Sequence, residues 1–255
     1  MPPNENLKTY SIKEIPYYHI YGRTDEMQNP LPLFWNGSGI EVNVTGSELW
    51  IDLDIDCSFH EPWIATELNG AFMSRQMLLP GSYSICLFRN MTLGVPKTMK
   101  FFRELQAMSE DNDCHVFVRG FQCDGEFLPV REHKYKIEFV GDSITSGEGT
   151  YGAISDTDWL TMYMSSSENY ATFTAKALDA DYRIISQGGW LGYDLALPIT
   201  NAMNRYQKDT GDHNTAFLNL PNTTADTVGA HMHPGVKSHE RAARVLIEYL
   251  QEIFF

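Results

Sequence analysis

The chain has 255 residues, a formal net charge of −14, and 43% hydrophobic residues. This length and apolar content suit one large domain or two modest ones with real cores. The acidic charge argues against nucleic acid or an anionic membrane as a partner, because little would neutralise phosphates, and no apolar run approaches the roughly 18 residues of a membrane span.

The first residues and the cysteines bear on the compartment. Residues 1–6 lack the basic and then apolar regions of a signal peptide, so a cytoplasmic location is expected. The cysteines form no Cys-x-x-Cys pair, which makes zinc-binding and thioredoxin-like interpretations weak, and we expect small buried hydrophobes. Cys114 and Cys123 flank a possible hairpin and could pair in an oxidising compartment.

The N-terminal part of the chain has the patterns of β-strands. Residues 1–40 are interpreted as an extension with a first strand, in which 23–35 form a loop. Apolar and polar residues then alternate over 41–45 and 49–56, which predicts half-buried antiparallel strands. The aspartates of 49–56 are interpreted as the solvated face, with a calcium site as the alternative.

Further strands follow at short intervals. Asn69-Gly70 lies between β-formers and predicts a hairpin, and 99–108 and 115–121 are predicted strands. Many short strands separated by Gly and Pro turns indicate an all-β sandwich or jelly roll, which we place at residues 1–132.

After Lys134 the pattern changes to strands alternating with helices, which indicates parallel βαβ units. A second, α/β domain is therefore predicted over 133–255. Its predicted elements are strands at 136–142, 182–186 and 215–220 and helices at 168–179, 194–207 and 238–253.

Ser143 follows the first of these strands directly. A serine at the carboxyl end of a parallel strand lies at the rim of the sheet, where α/β proteins bind ligands. Backbone N–H groups just after it could stabilise an oxyanion. The alternative is an ordinary turn or cap serine. Thr145 stands where the Gly-x-Ser-x-Gly elbow would need its second glycine, so the motif is a different one.

A base for this serine should come from a loop beyond another strand. His233 lies in such a loop, in His-Pro-Gly just before the last amphipathic helix. His231 is the second candidate. A lone loop histidine is otherwise a surface residue or a local hydrogen-bonding group.

Three motifs together resemble the GDSL or SGNH hydrolases. Gly-Asp-Ser-Ile-Thr-x-Gly over 141–147 is similar to their first block, Ser-Gln-Gly-Gly over 186–189 to their second, and His233-Pro234 to their last. The resemblance implies a flavodoxin-like domain in which Ser143 is the nucleophile and His233 the base. It also implies an oxyanion hole from the N–H groups of Ser143 and Gly188, with Gly188 favoured over Gly189.

The order of the domains sharpens the resemblance. A β-sandwich followed by an SGNH domain resembles the second family of carbohydrate esterases, acetyl esterases that act on acetylated sugars and plant polysaccharides. The resemblance implies no metal and no organic cofactor. It implies an acetylated sugar or polysaccharide as the partner, on whose rings Tyr151, Trp159 and Trp190 could stack.

The chain departs from the SGNH pattern in two places. Ala230 occupies the position of the usual Asp, three residues before the histidine. Members of the carbohydrate-esterase family can instead use a Ser–His dyad, with a backbone carbonyl orienting the imidazole, and Asp226 is an alternative. The block Gly-x-Asn-Asp, whose Asn donates to the oxyanion, is absent.

The absence of the Gly-x-Asn-Asp block predicts a truncated α/β domain. We call the junction between residues 190 and 191, where a segment has been deleted or omitted, the seam. The predicted domain is shorter than expected of an SGNH domain by on the order of a hundred residues. Two arrangements are then possible. An assembled dyad predicts a gap between 215–220 and 136–142, whereas direct pairing of these strands predicts a displaced histidine.

The sequence therefore predicts a serine esterase that removes O-acetyl groups from carbohydrates through an acetyl-enzyme on Ser143. One alternative is a catalytically weak or inactive carbohydrate-binding protein, favoured by the missing Asn block. A further alternative is a lipase or thioesterase of the SGNH type. The sequence does not indicate the oligomeric state.

Overall fold

The computed structural model describes residues 5–24, 29–188 and 196–254. The strands are β1 (Lys8–Ser11), β2 (His19–Tyr21), β3 (Leu31–Leu33), β4 (Gly39–Val44), β5 (Leu49–Asp56), β6 (Trp63–Leu68), β7 (Ala71–Met77), β8 (Gly81–Phe88), β9 (Lys97–Arg103), β10 (His115–Cys123), β11 (Phe127–Leu128), β12 (Tyr135–Gly141) and β13 (Ala180–Ser186). The α-helices are α1 (Ser143–Ser146), α2 (Tyr170–Ala177), α3 (Ala196–Thr210) and α4 (Val236–Phe254).

Strands β1 to β11 form two antiparallel sheets. The first has the order β1-β10-β5-β8, with β3 also paired to β10, and the second has the order β11-β4-β9-β6-β7, with β2 also paired to β4. Alternate side chains of both sheets meet in one core, because inward apolar residues recur every second position. Ile51 and Leu53 of β5 and Val42 and Phe101 of the second sheet all belong to it.

The Asn-Gly hairpin is confirmed, since β6 and β7 pair around it. The strand predicted over 99–108 exists but is shorter, because β9 ends at Arg103. The loop predicted over 23–35 is wrong at Leu31–Leu33, where β3 pairs with β10. All four cysteines are free.

The catalytic candidates lie on a second, smaller layer. Strands β12 and β13 pair in parallel, and α2 connects them across one face. Phe139, Tyr182 and Ile184 form their buried core with Ala171 of α2 and Tyr21 of β2. Burial of each large apolar side chain stabilises the fold by about 1.5–3 kcal/mol. Because Tyr21 lies on β2 of the second antiparallel sheet, this core also joins the smaller layer to that sheet.

The boundaries of the predicted helices need correction. Helix α2 is shorter than the predicted 168–179, because Asn169 caps it by accepting a hydrogen bond from the Thr172 N–H at 3.0 Å. Ser165 Oγ accepts from the Glu168 N–H at 3.2 Å, but in the turn before the helix. Helix α4 begins two residues earlier than predicted.

The strand predicted at 215–220 is wrong. Residues 211–224 contain neither helix nor strand, and Phe217 is 37% exposed. A strand is stable only when its backbone is paired, and in the described part of the chain β12 and β13 pair only with each other. Residues 220–223, at the end of this segment, instead line a cavity of about 350 Å³ that Asp142 and Thr145 also line.

None of the helices in the described ranges is both long enough and apolar enough to cross a membrane. The predicted seam between residues 190 and 191 falls outside the described residues.

Candidate active site

Ser143 is the first residue of α1, directly after β12. Asp142 caps this short helix by accepting a hydrogen bond from the Ile144 N–H at 3.0 Å. Gly141 must be a glycine, because a Cβ there would lie 2.1 Å from Thr145 Oγ1. The turn therefore fixes the backbone of Ser143, whose side chain is mostly buried at the sheet rim.

His233 meets this serine from the loop before α4. Its Nε2 lies 2.9 Å from Ser143 Oγ, and its Nδ1 lies 2.7 Å from the backbone carbonyl oxygen of His231. Since a carbonyl only accepts, the Nδ1–H donates to it and the lone pair of Nε2 points to the serine hydroxyl. This is the tautomer that a general base requires.

The orienting group is thus a backbone carbonyl, as the resemblance implied. Ala230 is fully buried and offers no side-chain acceptor. The alternative Asp226 is exposed and accepts a hydrogen bond from the Thr224 hydroxyl at 2.7 Å. Asp226 therefore does not replace the missing carboxylate.

Gly188 lies beside the serine. A Cβ built on Gly188 would be 4.0 Å from Ser143 Cβ and 3.1 Å from Glu148 Oε2. A small residue is needed for such a close approach. Its position is compatible with an oxyanion donor, whereas Gly189 is outside the described residues.

Glu148 is a site residue that the sequence did not single out. It is 4% exposed, and its Oε1 lies 3.0 Å from His231 Nδ1 and 3.7 Å from His233 Nε2. Burial of a carboxylate is costly unless it is paired, and His231 supplies the partner. The only sequence signal was its place between Gly147 and Gly149, which both have positive φ, at 75° and 70°.

The predicted stacking rings are partly engaged elsewhere. The Tyr151 ring lies 5.0 Å from the Arg75 guanidinium, and Trp159 packs edge-on against His60. Trp190 lies outside the described residues. Trp35, in the predicted loop over 23–35, lines a cavity of about 360 Å³ at the carboxyl ends of β12 and β13.

Comparisons with known proteins place this geometry among esterases. The chain is 37% identical to an acetyl xylan esterase, Est2A, from the rumen bacterium Butyrivibrio proteoclasticus, with a TM-score of 0.94 over 96% of this chain and 98% of that one. A family two carbohydrate esterase from Clostridium thermocellum, solved with cellohexaose, has the same fold at 18% identity, with a TM-score of 0.81 over 92% of this chain and 98% of that one.

A curated relative is also similar. The cellulase/esterase CelE of Acetivibrio thermocellus is 26% identical over 179 residues, 68% of this chain. The match spans about a fifth of that protein, 21% of its length. No protein-family model matches the chain.

Proposed function

Because the chain belongs to the second family of carbohydrate esterases, we propose that it removes O-acetyl groups from carbohydrates through an acetyl-enzyme on Ser143. The observation that carries the proposal is the 2.9 Å contact between His233 Nε2 and Ser143 Oγ. Its support is the 37% identity to an acetyl xylan esterase along nearly the whole chain.

The chemistry follows from the orientation of His233. The Ser143 hydroxyl attacks the acetyl carbonyl while Nε2 takes its proton. The N–H groups of Ser143 and Gly188 stabilise the oxyanion. Its collapse breaks the ester bond and expels the sugar oxygen, which receives the proton from Nε2 and leaves as a hydroxyl group. A water molecule, deprotonated by Nε2, then attacks the acetyl-enzyme. The bond between Ser143 Oγ and the acetyl carbon breaks, Nε2 returns the proton to Ser143 Oγ, and acetate is released. No step requires a metal or an organic cofactor.

Glu148 affects these reaction steps through the residues beside it. It accepts a hydrogen bond from His231 Nδ1 at 3.0 Å, and the backbone carbonyl of His231 orients His233. Its carboxylate also lies 3.7 Å from His233 Nε2, where it favours the imidazolium that forms during attack. Glu148 is therefore a positioning residue that compensates for Ala230.

The test is acetate release from acetylated xylan and from a small aryl acetate by the purified protein. Release from both supports the proposal. Binding of the glycan without release would instead support the carbohydrate-binding protein, for which the missing Asn block is the motivating feature. Faster cleavage of long-chain aryl esters than of the acetate would support the lipase or thioesterase.

The finer architecture is also a proposal. We infer an N-terminal jelly-roll-like domain over 1–132 and an SGNH-like domain over 133–255, shortened at residues 190/191. The absence of a strand at 215–220 and the cavity lined by residues 220–223 and Asp142 support a shortened sheet. The mass of this 255-residue chain is 29.0 kDa. An intact mass larger by about 10 kDa, the mass of roughly a hundred residues, would instead indicate an omission in the sequence.

A further inference from the structure

Three potential metal ligands converge beside the nucleophile. Glu148 Oε1 lies 3.0 Å from His231 Nδ1 and 3.7 Å from His233 Nε2, and each of the three residues offers one ligand atom within 4.8 Å of the other two. We propose that these residues form a zinc site whose occupation reversibly inhibits the enzyme. The inhibition, though not the site, rests on the proposed function.

The spacing suits a tetrahedral ion. Ligand atoms bound to zinc at about 2.0–2.2 Å are about 3.3 Å apart in a tetrahedron, and the two measured separations fall on either side of this value. Glu148 and His233 are held by their neighbours. The side chain of His231 is 42% exposed, so its ring proton can exchange through solvent from Nδ1 to Nε2 and leave the Nδ1 lone pair directed at the ion.

The surroundings favour a metal in a second way. A histidine that binds a metal through one nitrogen usually donates its other N–H to a carbonyl or carboxylate. His233 already does so, because its Nδ1–H donates to the His231 carbonyl at 2.7 Å. A cation would also neutralise the buried carboxylate of Glu148. Two imidazoles and a carboxylate select zinc or a similar transition metal over Mg²⁺ and Ca²⁺, which prefer oxygen ligands.

Occupation of the site blocks catalysis directly. The lone pair of His233 Nε2 that accepts the Ser143 proton is the same lone pair that would bind zinc. A metal-bound imidazole cannot act as the base, so the attack by Ser143 Oγ stops. A water molecule or Ser143 Oγ, 2.9 Å from Nε2, can complete the tetrahedron. Removal of the metal restores the lone pair and hence the activity.

The experiment measures binding and inhibition separately. Protein treated with a chelator is dialysed against zinc and its metal content determined, and aryl acetate hydrolysis is followed in the same zinc series. We expect one zinc per chain, loss of activity over the same concentration range, and full recovery with excess chelator.

The variants locate the site. Glu148→Gln and His231→Asn each remove one ligand. Loss of a group that only hydrogen-bonds to a metal ligand weakens metal binding by about 10–100-fold, so loss of a ligand itself should weaken zinc binding by at least as much. Asn tolerates the positive φ of His231, 51°. His213→Asn, an exposed histidine far along the chain in 211–224, is the control and should bind zinc as the wild type does.

Ser143→Ala separates this proposal from the proposed function. It should be inactive yet bind zinc with about the wild-type affinity, since the three ligands remain. An active Ser143→Ala variant would refute the esterase mechanism but would not contradict the zinc site. Failure to bind zinc, or binding that neither Glu148→Gln nor His231→Asn weakens, would overturn the site. Saturation with zinc without loss of activity would overturn the shared role of His233.

Discussion

His233, the proposed base, is oriented by a backbone carbonyl and not by a carboxylate. In serine hydrolases with a triad, an acidic side chain fixes the tautomer of the histidine. Here the His231 carbonyl does so at 2.7 Å, while Glu148 holds the His231 side chain. In a triad the carboxylate contacts Nδ1, whereas here the Glu148 carboxylate lies on the other side of the ring, 3.7 Å from His233 Nε2.

His239 is the residue at which pH should affect stability. Burial lowers the pKa of this histidine to about 4, and its Nδ1 accepts a hydrogen bond from the Tyr170 N–H at 3.3 Å. In the unfolded chain it titrates near its usual pKa of about 6.5. Below that pH the unfolded state binds a proton that the folded state does not, so stability falls between about pH 6.5 and 4.

We therefore expect His239 to account for about 2 kcal/mol of the stability lost between pH 7 and pH 5. The measurement is urea unfolding at both pH values. His239→Asn keeps an acceptor for Tyr170 and should show a smaller loss, whereas His213→Asn should lose as much as the wild type. An unchanged loss in His239→Asn would contradict the assignment.

At the scale of elements, the site depends on two loops that touch through their backbones. Residues 147–149 follow α1, and 229–235 precede α4. A Cβ on Gly149 would lie 2.3 Å from the Ala230 carbonyl oxygen and 2.7 Å from His233 Cβ. The Ala230 N–H also donates to the Gly149 carbonyl at 3.0 Å. The serine and histidine loops are thus positioned by each other.

Gly149→Ala should therefore separate the dyad. The added methyl group must push the histidine loop away, and a displacement of about 1 Å at the reacting groups can cost on the order of 10²-fold in rate. We expect kcat/KM for an aryl acetate to fall by about that factor. The assay is initial-rate kinetics on folded protein, checked by circular dichroism.

Gly94→Ala is the matched control. Gly94 also has a positive φ, 83°, but its added Cβ would have nothing within 4 Å. Both variants place alanine at a positive φ, 70° at Gly149 and 83° at Gly94, and they differ in the contact with the histidine loop. Equal activity of the two alanine variants would refute the coupling of the loops.

The elements show which parts of the fold a sequence can reveal. The Asn69-Gly70 hairpin was predictable because its turn is specified locally. The contact between Ser143 and His233 was predictable because each residue lies in a motif of its own loop. The strand at 215–220 was wrong because alternation says nothing about whether a partner strand exists. Glu148 was missed because its burial depends on His231, which is distant in sequence.

At the scale of the whole molecule, buried polar groups join the two antiparallel sheets to the layer formed by β12 and β13. The Lys100 ammonium of β9 donates to the Tyr182 hydroxyl of β13 at 2.9 Å. Asn36 donates to the Ser146 carbonyl at 3.1 Å, which ties α1 to the segment between β3 and β4. No local pattern predicted these contacts, since each links residues far apart in sequence.

Glu104 is the central group of this interface. It is fully buried, accepts hydrogen bonds from the Ser166 and Ser167 N–H groups at 2.7 and 3.0 Å, and lies 3.6 Å from Arg75 Nε. Glu104→Ala removes the carboxylate beside Arg75 and the acceptor of the Ser166 and Ser167 N–H and hydroxyl groups, so we expect a loss of about 3–5 kcal/mol in the free energy of unfolding.

Urea unfolding followed by fluorescence and circular dichroism checks this value. Both probes should give one shared transition, because the contacts span both parts. Glu110→Ala removes an exposed carboxylate paired with His60 and should cost no more than about 1 kcal/mol. A similar small cost for Glu104→Ala would show that the interface is not held by this carboxylate.

The central claim is that Ser143 is the nucleophile, and the rate of aryl acetate hydrolysis by Ser143→Ala tests it most directly. Its Oγ lies 2.9 Å from the only nitrogen of His233 that is free to accept a proton. Loss of the nucleophile in a serine hydrolase costs on the order of 10⁶-fold in kcat, so the variant should be inactive above background. Hydrolysis by Ser143→Ala at the wild-type rate would contradict the account.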